Sequence, residues 1–229
     1  MIPKIAHFHW DGAGPPMSWL RLVSISSFAK FNPTWELRLI RSAPQTEGRG
    51  LSYGQKADLS WWLALEEHGG FQVATDIVFF KPVPDDWLDA DLCANTNDGG
   101  GVYQFAMLGA KPHHPFMMAA VSEGLKRIEG NRVSDYQDLG VLLLQSLSGE
   151  MGECKELPMS ALCHYNSFSV EPLWNVISPV SEWDSLLSFP EGAIGAHWYG
   201  GYTMSQDLER GTNALSEYPI ARLAASVFP

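Results

Sequence analysis

The sequence predicts an α/β protein built on a mostly parallel sheet with flanking helices, and three observations carry that expectation. Strand-like and helix-like segments alternate over the first eighty residues. Glycine and proline signals separate them, and 45% of the 229 residues are hydrophobic, enough for a sizeable core. Residues 2–10 read as the first strand, with Ile5, His7 and His9 on one face and Ala6, Phe8 and Trp10 on the other. Turn chemistry follows over 11–16, then a helix over 18–31 with Trp19, Leu22, Val23 and Ser26 on one stripe, stopped by Asn32-Pro33. Residues 35–40 alternate as a second strand. The spacing of Leu59, Trp62, Leu63 and Glu66 predicts a helix over 55–68, closed by Gly69-Gly70. The run 71–80, rich in Val, Ile and Phe, reads as one third strand ended by Lys81-Pro82. A strand at 104–109 and helices at 115–129 and 137–148 follow. Beyond residue 150 the chain is expected to be loop-rich, with a last strand over 193–198 and a helical tail over 216–227.

No repeat, low-complexity tract or dividing linker breaks the chain, so a single domain over 1–229 is expected. No apolar run approaches the roughly 18 residues of a membrane helix, and no signal peptide is expected from the first twelve residues, which hold one Lys and no continuous apolar stretch. Three cysteines, Cys93, Cys154 and Cys163, without a CxxC spacing fit a reduced, cytoplasmic chain. The formal net charge of −11 argues against a general nucleic-acid coat. Residues 1–56 nevertheless hold seven basic side chains against three acidic ones, a balance of +4 that leaves −15 on the other 173 residues. A positive first quarter on an acidic body points to an anionic ligand such as a nucleotide diphosphate, or to dispersed, solvated charge.

The most informative stretch runs from Lys56 to Val83. Ala57-Asp58 opens an apolar helix, Gly69-Gly70 closes it, and Thr75-Asp76 falls within the strand that follows. In that register the chain resembles the DXD-motif glycosyltransferases of GT-A fold, the group of capsular-polysaccharide and mannosyl-type enzymes. Their pattern runs Ser/Ala-Asp, two apolar residues, Arg-Tyr, an apolar helix, Gly-Gly, and an Asp-Thr-Asp ending. The opening Ile2-Pro3-Lys4-Ile5 with His7 and Trp10 is similar to that group's first strand, and Asn32-Pro33 with Trp35-Glu36 to its second. Asn95, Lys111 to Phe116, and Ala193-Ile194 with His197-Trp198 follow in the same order. Two positions depart from the pattern: the first motif Asp is Ala74, and the helix Arg is Trp61.

The resemblance implies a GT-A-like domain in which 1–83 binds a nucleotide sugar and 84–229 carries the acceptor side and closing segment. It implies transfer of a sugar from a UDP- or GDP-linked donor to a hydroxyl acceptor on a glycan or a protein. The charge asymmetry adds a polyanionic candidate, a hydroxymethylated DNA base, because Arg38, Arg41 and Arg49 are left over once a diphosphate is matched. Asp76 and His197 are the expected ligands of Mn²⁺ or Mg²⁺, which would offset charge on the departing diphosphate. Asp58 would orient the sugar, and His7, Trp10, Lys56 and Thr75 would contact the donor, with His197 and Trp198 closing over it. Retention of configuration is implied, and no general base is singled out. Each residue has a bland alternative: Asp58 as a helix cap, Asp76 as a turn cap, the tryptophans as core. Two other functions stay open, a nucleotide-sugar binding module silenced at Ala74, and a metal-dependent hydrolase using His7 and His9 as a pair on one strand face.

Overall fold

A computed structural model describes residues 1–12, 16–96, 103–165, 170–174 and 187–228. Its strands are β1 (Ile5–His9), β2 (Glu36–Ile40), β3 (Gly70–Val73), β4 (Ile77–Phe79), β5 (Leu92–Thr96), β6 (Tyr103–Ala110), β7 (Lys155–Leu157) and β8 (Gly195–His197). The longer helices are α1 (Trp19–Phe31), α2 (Tyr53–His68) and α3 (Pro115–Glu129), followed by the short α4 (Val141–Ser146). The chain forms two compact units.

The first unit comprises Met1–Pro15, Thr34–Ala74 and Pro84–Pro158. It holds a six-stranded sheet in the order β2-β1-β3-β6-β5-β7. β1 runs parallel to β2 and β3, and β5 parallel to β7, while β6 is antiparallel to both its neighbours. The sheet is mostly parallel, as expected. Its core joins Leu59, Trp62 and Leu65 of α2, Leu92 and Leu108 of the sheet, Phe116 and Met117 of α3, and Leu143 of α4. Helix α2 starts two residues earlier than its apolar spacing suggests, because Ser52 and Gln55 form a capping box (3.3 and 2.8 Å). At its other end Gly69 (φ 64°) and Gly70 (φ 95°) turn the chain straight into β3. A Cβ on Gly70 would sit 2.5 Å from the Ile5 carbonyl oxygen, so only glycine lets β3 approach β1 there. The helix expected over 137–148 shortens to α4 because the Asp138 carboxylate accepts from the amides of Ser134 (2.7 Å) and Asp135 (2.6 Å), holding a turn ahead of Gly140.

The second unit comprises Pro16–Pro33, Thr75–Val83 and Met159–Pro229. Here β4 pairs antiparallel with β8, Ile77 facing His197 and Phe79 facing Gly195. Leu20 and Val23 of α1, Val78, Trp174, Trp198, Ile220 and Ala224 make its core. Asn32 ends α1: its side chain donates to the Phe28 carbonyl and accepts from the Val83 amide, both at 2.9 Å. The expected tail helix is Pro219–Val227. Residues 166–169 and 175–186 of the segment expected to be loop-rich lie outside the described residues.

The single strand expected over 71–80 is two strands in two sheets. Ala74 still donates to the Ala106 carbonyl (3.1 Å) beside β3, and the Asp76 carbonyl accepts from the Trp198 amide (2.9 Å) beside β8. Every residue of β3 and β4 is buried, so no alternation marks the change of sheet. Among the described residues no helix is long and apolar enough to cross a membrane.

Candidate functional site

Of the expected site residues, Thr75, Asp76, His197 and Trp198 belong to the second unit. Pairing of β4 with β8 sets Asp76 beside His197, whose Nε2 lies 3.1 Å from Asp76 Oδ1. Asp76 Oδ2 accepts from the Gly200 amide at 2.7 Å, so both carboxylate oxygens are engaged. Behind the imidazole, Nδ1 faces Cys163 Sγ at 3.6 Å, and Tyr199 stacks on the ring with centroids 4.0 Å apart. Tyr199 holds a φ of 50°, a left-handed conformation uncommon for a bulky side chain. The pair is about nine-tenths buried. Burial works against the Asp76 charge, but His197 as neighbour and hydrogen-bond partner, Arg21 and the Gly200 amide outweigh it and hold the carboxyl well below the usual range. Burial likewise pulls the His197 ring down, and the Asp76 charge and hydrogen bond lift it to about 10.

The bland alternatives divide here. Asp76 lies in the turn that leads into β4, and its carboxylate binds across to the segment after β8 through His197 and the Gly200 amide. Trp198 is core, with no exposed surface, its indole donating to Ser24 Oγ at 3.3 Å and its ring edge-on to Trp174. Thr75 is buried and accepts from Arg21 Nη1 at 2.8 Å.

His7, Trp10, Lys56 and Asp58 belong to the first unit. His7 is fully buried, and its Nε2 donates to the Gly69 carbonyl at 2.8 Å. His9, two residues on, faces Ser42 Oγ at 3.3 Å and meets Tyr53 edge-on at 5.1 Å. Neither His7 Nδ1 nor His9 Nδ1 has a hydrogen-bond partner among the described residues. Burial drives the His9 ring down to about 4, with Asp11 opposing and Lys56 assisting. Trp10 packs against Tyr53 at 5.7 Å, half-buried at the carboxyl end of β1. That end of parallel strands is where open α/β sheets bind ligands.

Asp58 does not cap α2, since Ser52 does; it lies one and a half turns in. Its carboxylate rests on Gly140, where a Cβ would come within 2.6 Å of Oδ2. Burial pushes the Asp58 carboxyl up to about 8. Trp61, at the position of the group's helix Arg, donates to the His7 carbonyl at 3.1 Å. Arg38, one of three arginines that the sequence leaves for a polyanion, is tied to Glu36 at 2.7 Å.

No known protein-family profile matches the chain, and no curated protein matches it. Solved structures do. The apo form of the glycosyltransferase GlyE of Streptococcus pneumoniae TIGR4 superposes with a TM-score of 0.57 at 13% identity, over 99% of this chain and 60% of that one. The PaToxG glycosyltransferase gives 0.51 at 15% identity, over 66% and 70%. A glycosyltransferase involved in glycosylation of the major capsid of PBCV-1 gives 0.51 at 9% identity, over 90% and 99%. The chain has the GT-A glycosyltransferase fold.

Among the described residues no three His, Cys, Asp or Glu side chains gather to hold a metal ion, around His7 and His9 or elsewhere. Asp76 and His197 lie side by side as an ion pair, and His197 Nε2 becomes a nitrogen donor beside the Asp76 oxygen only when the ring gives up its proton, as ligation of a cation requires. Cys163 and Tyr199 flank the His197 ring, and Arg21, held by Glu209, acts on Asp76; the sequence assigns none of the four a role in the site. Arg21 shares α1 with Lys30 and three serines, and nothing in its neighbourhood of sequence marks it.

Proposed function

We propose that the protein transfers a sugar from a UDP- or GDP-linked donor to a hydroxyl acceptor, on a glycan, a protein or a hydroxymethylated DNA base. The observation that carries this reading is the meeting of Asp76 with His197 within a GT-A fold, two residues 121 positions apart that the family resemblance pairs as ligands. Asp76, and His197 once its ring gives up the proton it shares with Asp76, would hold a divalent cation, whose chemistry there would be to offset charge developing on the departing nucleoside diphosphate. The Gly200 amide and the buried ion pair keep Asp76 ionised and aimed. Trp10 and Tyr53 offer aromatic faces for a base, and Asp58, neutral at pH 7, is a hydrogen-bond donor suited to a sugar hydroxyl.

One observation favours a second reading, binding without turnover: Ala74, where the group has a carboxylate, is buried and brings no ligand. Incubation with UDP- and GDP-sugars and Mn²⁺, followed by chromatography of the nucleotide products, separates the two. Release of nucleoside diphosphate supports transfer, binding alone supports the silent module, and neither counts against both.

A further inference from the structure

Within the second unit one guanidinium touches residues that flank both Asp76 and His197. Arg21 of α1 donates through Nε and Nη2 to the two carboxylate oxygens of Glu209, at 2.6 and 3.1 Å, in the helix Thr203–Glu209. Ser18 Oγ donates to the same carboxylate at 2.6 Å. Arg21 Nη1 holds Thr75, the residue before Asp76, at 2.8 Å. The guanidinium lies 5.0 Å from the ring centroid of Trp198, the residue after His197. A Cβ on Gly200 would collide with Nη2, so the backbone whose amide binds Asp76 rests directly on the guanidinium.

Both Arg21 and Glu209 are nearly nine-tenths buried. A two-pronged bond between a planar guanidinium and a carboxylate fixes orientation in a way an ammonium does not. The remaining prong and the flat face are spent on the two chain segments that carry Asp76 and His197.

We infer that Arg21 is a positioning residue for the donor site: locked by Glu209, it sets the Thr75–Asp76 turn and the Trp198–Gly200 segment so that Asp76 meets both His197 and the Gly200 amide. The functional part of this inference rests on the transferase reading above. Its structural part does not.

The test uses amide hydrogen exchange on the full chain. The Trp198 and Gly200 amides both donate to Asp76, whereas the Phe80 amide, bonded to the Ile194 carbonyl at 3.0 Å, reports the β4–β8 scaffold of the same unit. The variants are Arg21→Lys, which keeps the charge and loses the fork, and Arg21→Met with Glu209→Gln, which removes both buried charges together. In the double variant the Trp198 and Gly200 amides should exchange at least tenfold faster than in the wild type while Phe80 changes less than threefold. The lysine variant should fall between. Affinity for UDP or GDP in the presence of Mn²⁺, read by calorimetry, should fall at least tenfold in the double variant. Equal acceleration at all three amides would overturn the inference, making Arg21 a general stabiliser of the unit. Faster loop exchange with unchanged nucleotide affinity would overturn its functional part. A wild type that binds neither nucleotide with Mn²⁺ sinks the transferase reading instead, and the exchange data still decide whether Arg21 positions the segment.

Discussion

The two groups of candidate residues handle burial in opposite ways. In the second unit charge is retained under cover: Asp76 faces His197, Arg21 faces Glu209, and the Asp76 oxygens are both bonded. In the first unit charge is lost. His9 falls to about 4 and Asp58 rises to about 8, so both are neutral at pH 7. A buried ion that finds a partner keeps its charge, and one that does not exchanges a proton instead.

The comparison breaks most visibly at Asp76. Asp76→Ala strands His197 and removes the carboxylate from the proposed cation site. Transfer and Mn²⁺-dependent donor binding should fall more than 100-fold, and stability by about 3 kcal/mol, the usual cost of leaving one member of a buried pair alone. Urea melts and nucleotide-release assays read the two effects. Activity within about tenfold of wild type, about 1.4 kcal/mol of barrier, would remove Asp76 from the reaction.

The paired group also has a pH signature. His197 titrates near 6.5 when unfolded and about 10 when folded, so its contribution is full below about 6.5 and is lost as pH rises through 10. Asp76, depressed in the folded state, contributes above about 3.8 and loses that contribution only as pH falls below it. Stability should drop by about 2–3 kcal/mol between pH 6.5 and 10, and His197→Gln should flatten that limb. A wild-type limb as flat as the variant's means that the pair does not hold its charge.

The same contrast decides what could be read from sequence. The helices announce themselves through apolar spacing at Leu59, Trp62 and Leu63, and Pro115–Glu129 appears at its predicted bounds. Gly69-Gly70 marks both a helix end and the close approach of β3 to β1. The family order of residues pairs Asp76 with His197, and the two side chains do meet, at 3.1 Å. What sequence does not show is the change of sheet at Thr75, because continuous burial erases the two-residue period. It also hides the Arg21–Glu209 lock, since a single Arg in α1 and a single Glu 188 residues later have no local pattern to link them. Charge state was equally illegible: Asp58 and Asp76 are the same residue type, and only their surroundings drive one carboxyl up and the other down.

Asp58→Asn sharpens the comparison from the other side. A folded pKa of about 8 against about 3.8 unfolded means that stability falls as pH rises from 4 to 8. The amide removes that fall, so the variant should be about 2 kcal/mol more stable than wild type at pH 7.5, the partial exposure of Asp58 reducing the full effect. It should also lose affinity for a nucleotide sugar by more than for the free nucleoside diphosphate. Equal losses for both ligands, by calorimetry, would make Asp58 a structural residue only.

His9 should give the smallest effect and the cleanest sign. Its ring is lowered when folded, so stability is full above about 6.5 and is lost as pH falls towards 4, the reverse of the His197 limb. Acidification from pH 6.5 to 5 should cost about 1–2 kcal/mol through this residue, and His9→Gln should remove that slope while leaving the alkaline limb intact. The glutamine keeps a polar group facing Ser42, so a loss of packing does not mimic the result. Imidazole carbon shifts followed by NMR should show His9 neutral and His197 charged throughout pH 6 to 8. Finding His9 protonated at pH 6 would mean that the group at the end of β1 holds charge as the paired group does, and that a partner for Nδ1 is supplied there.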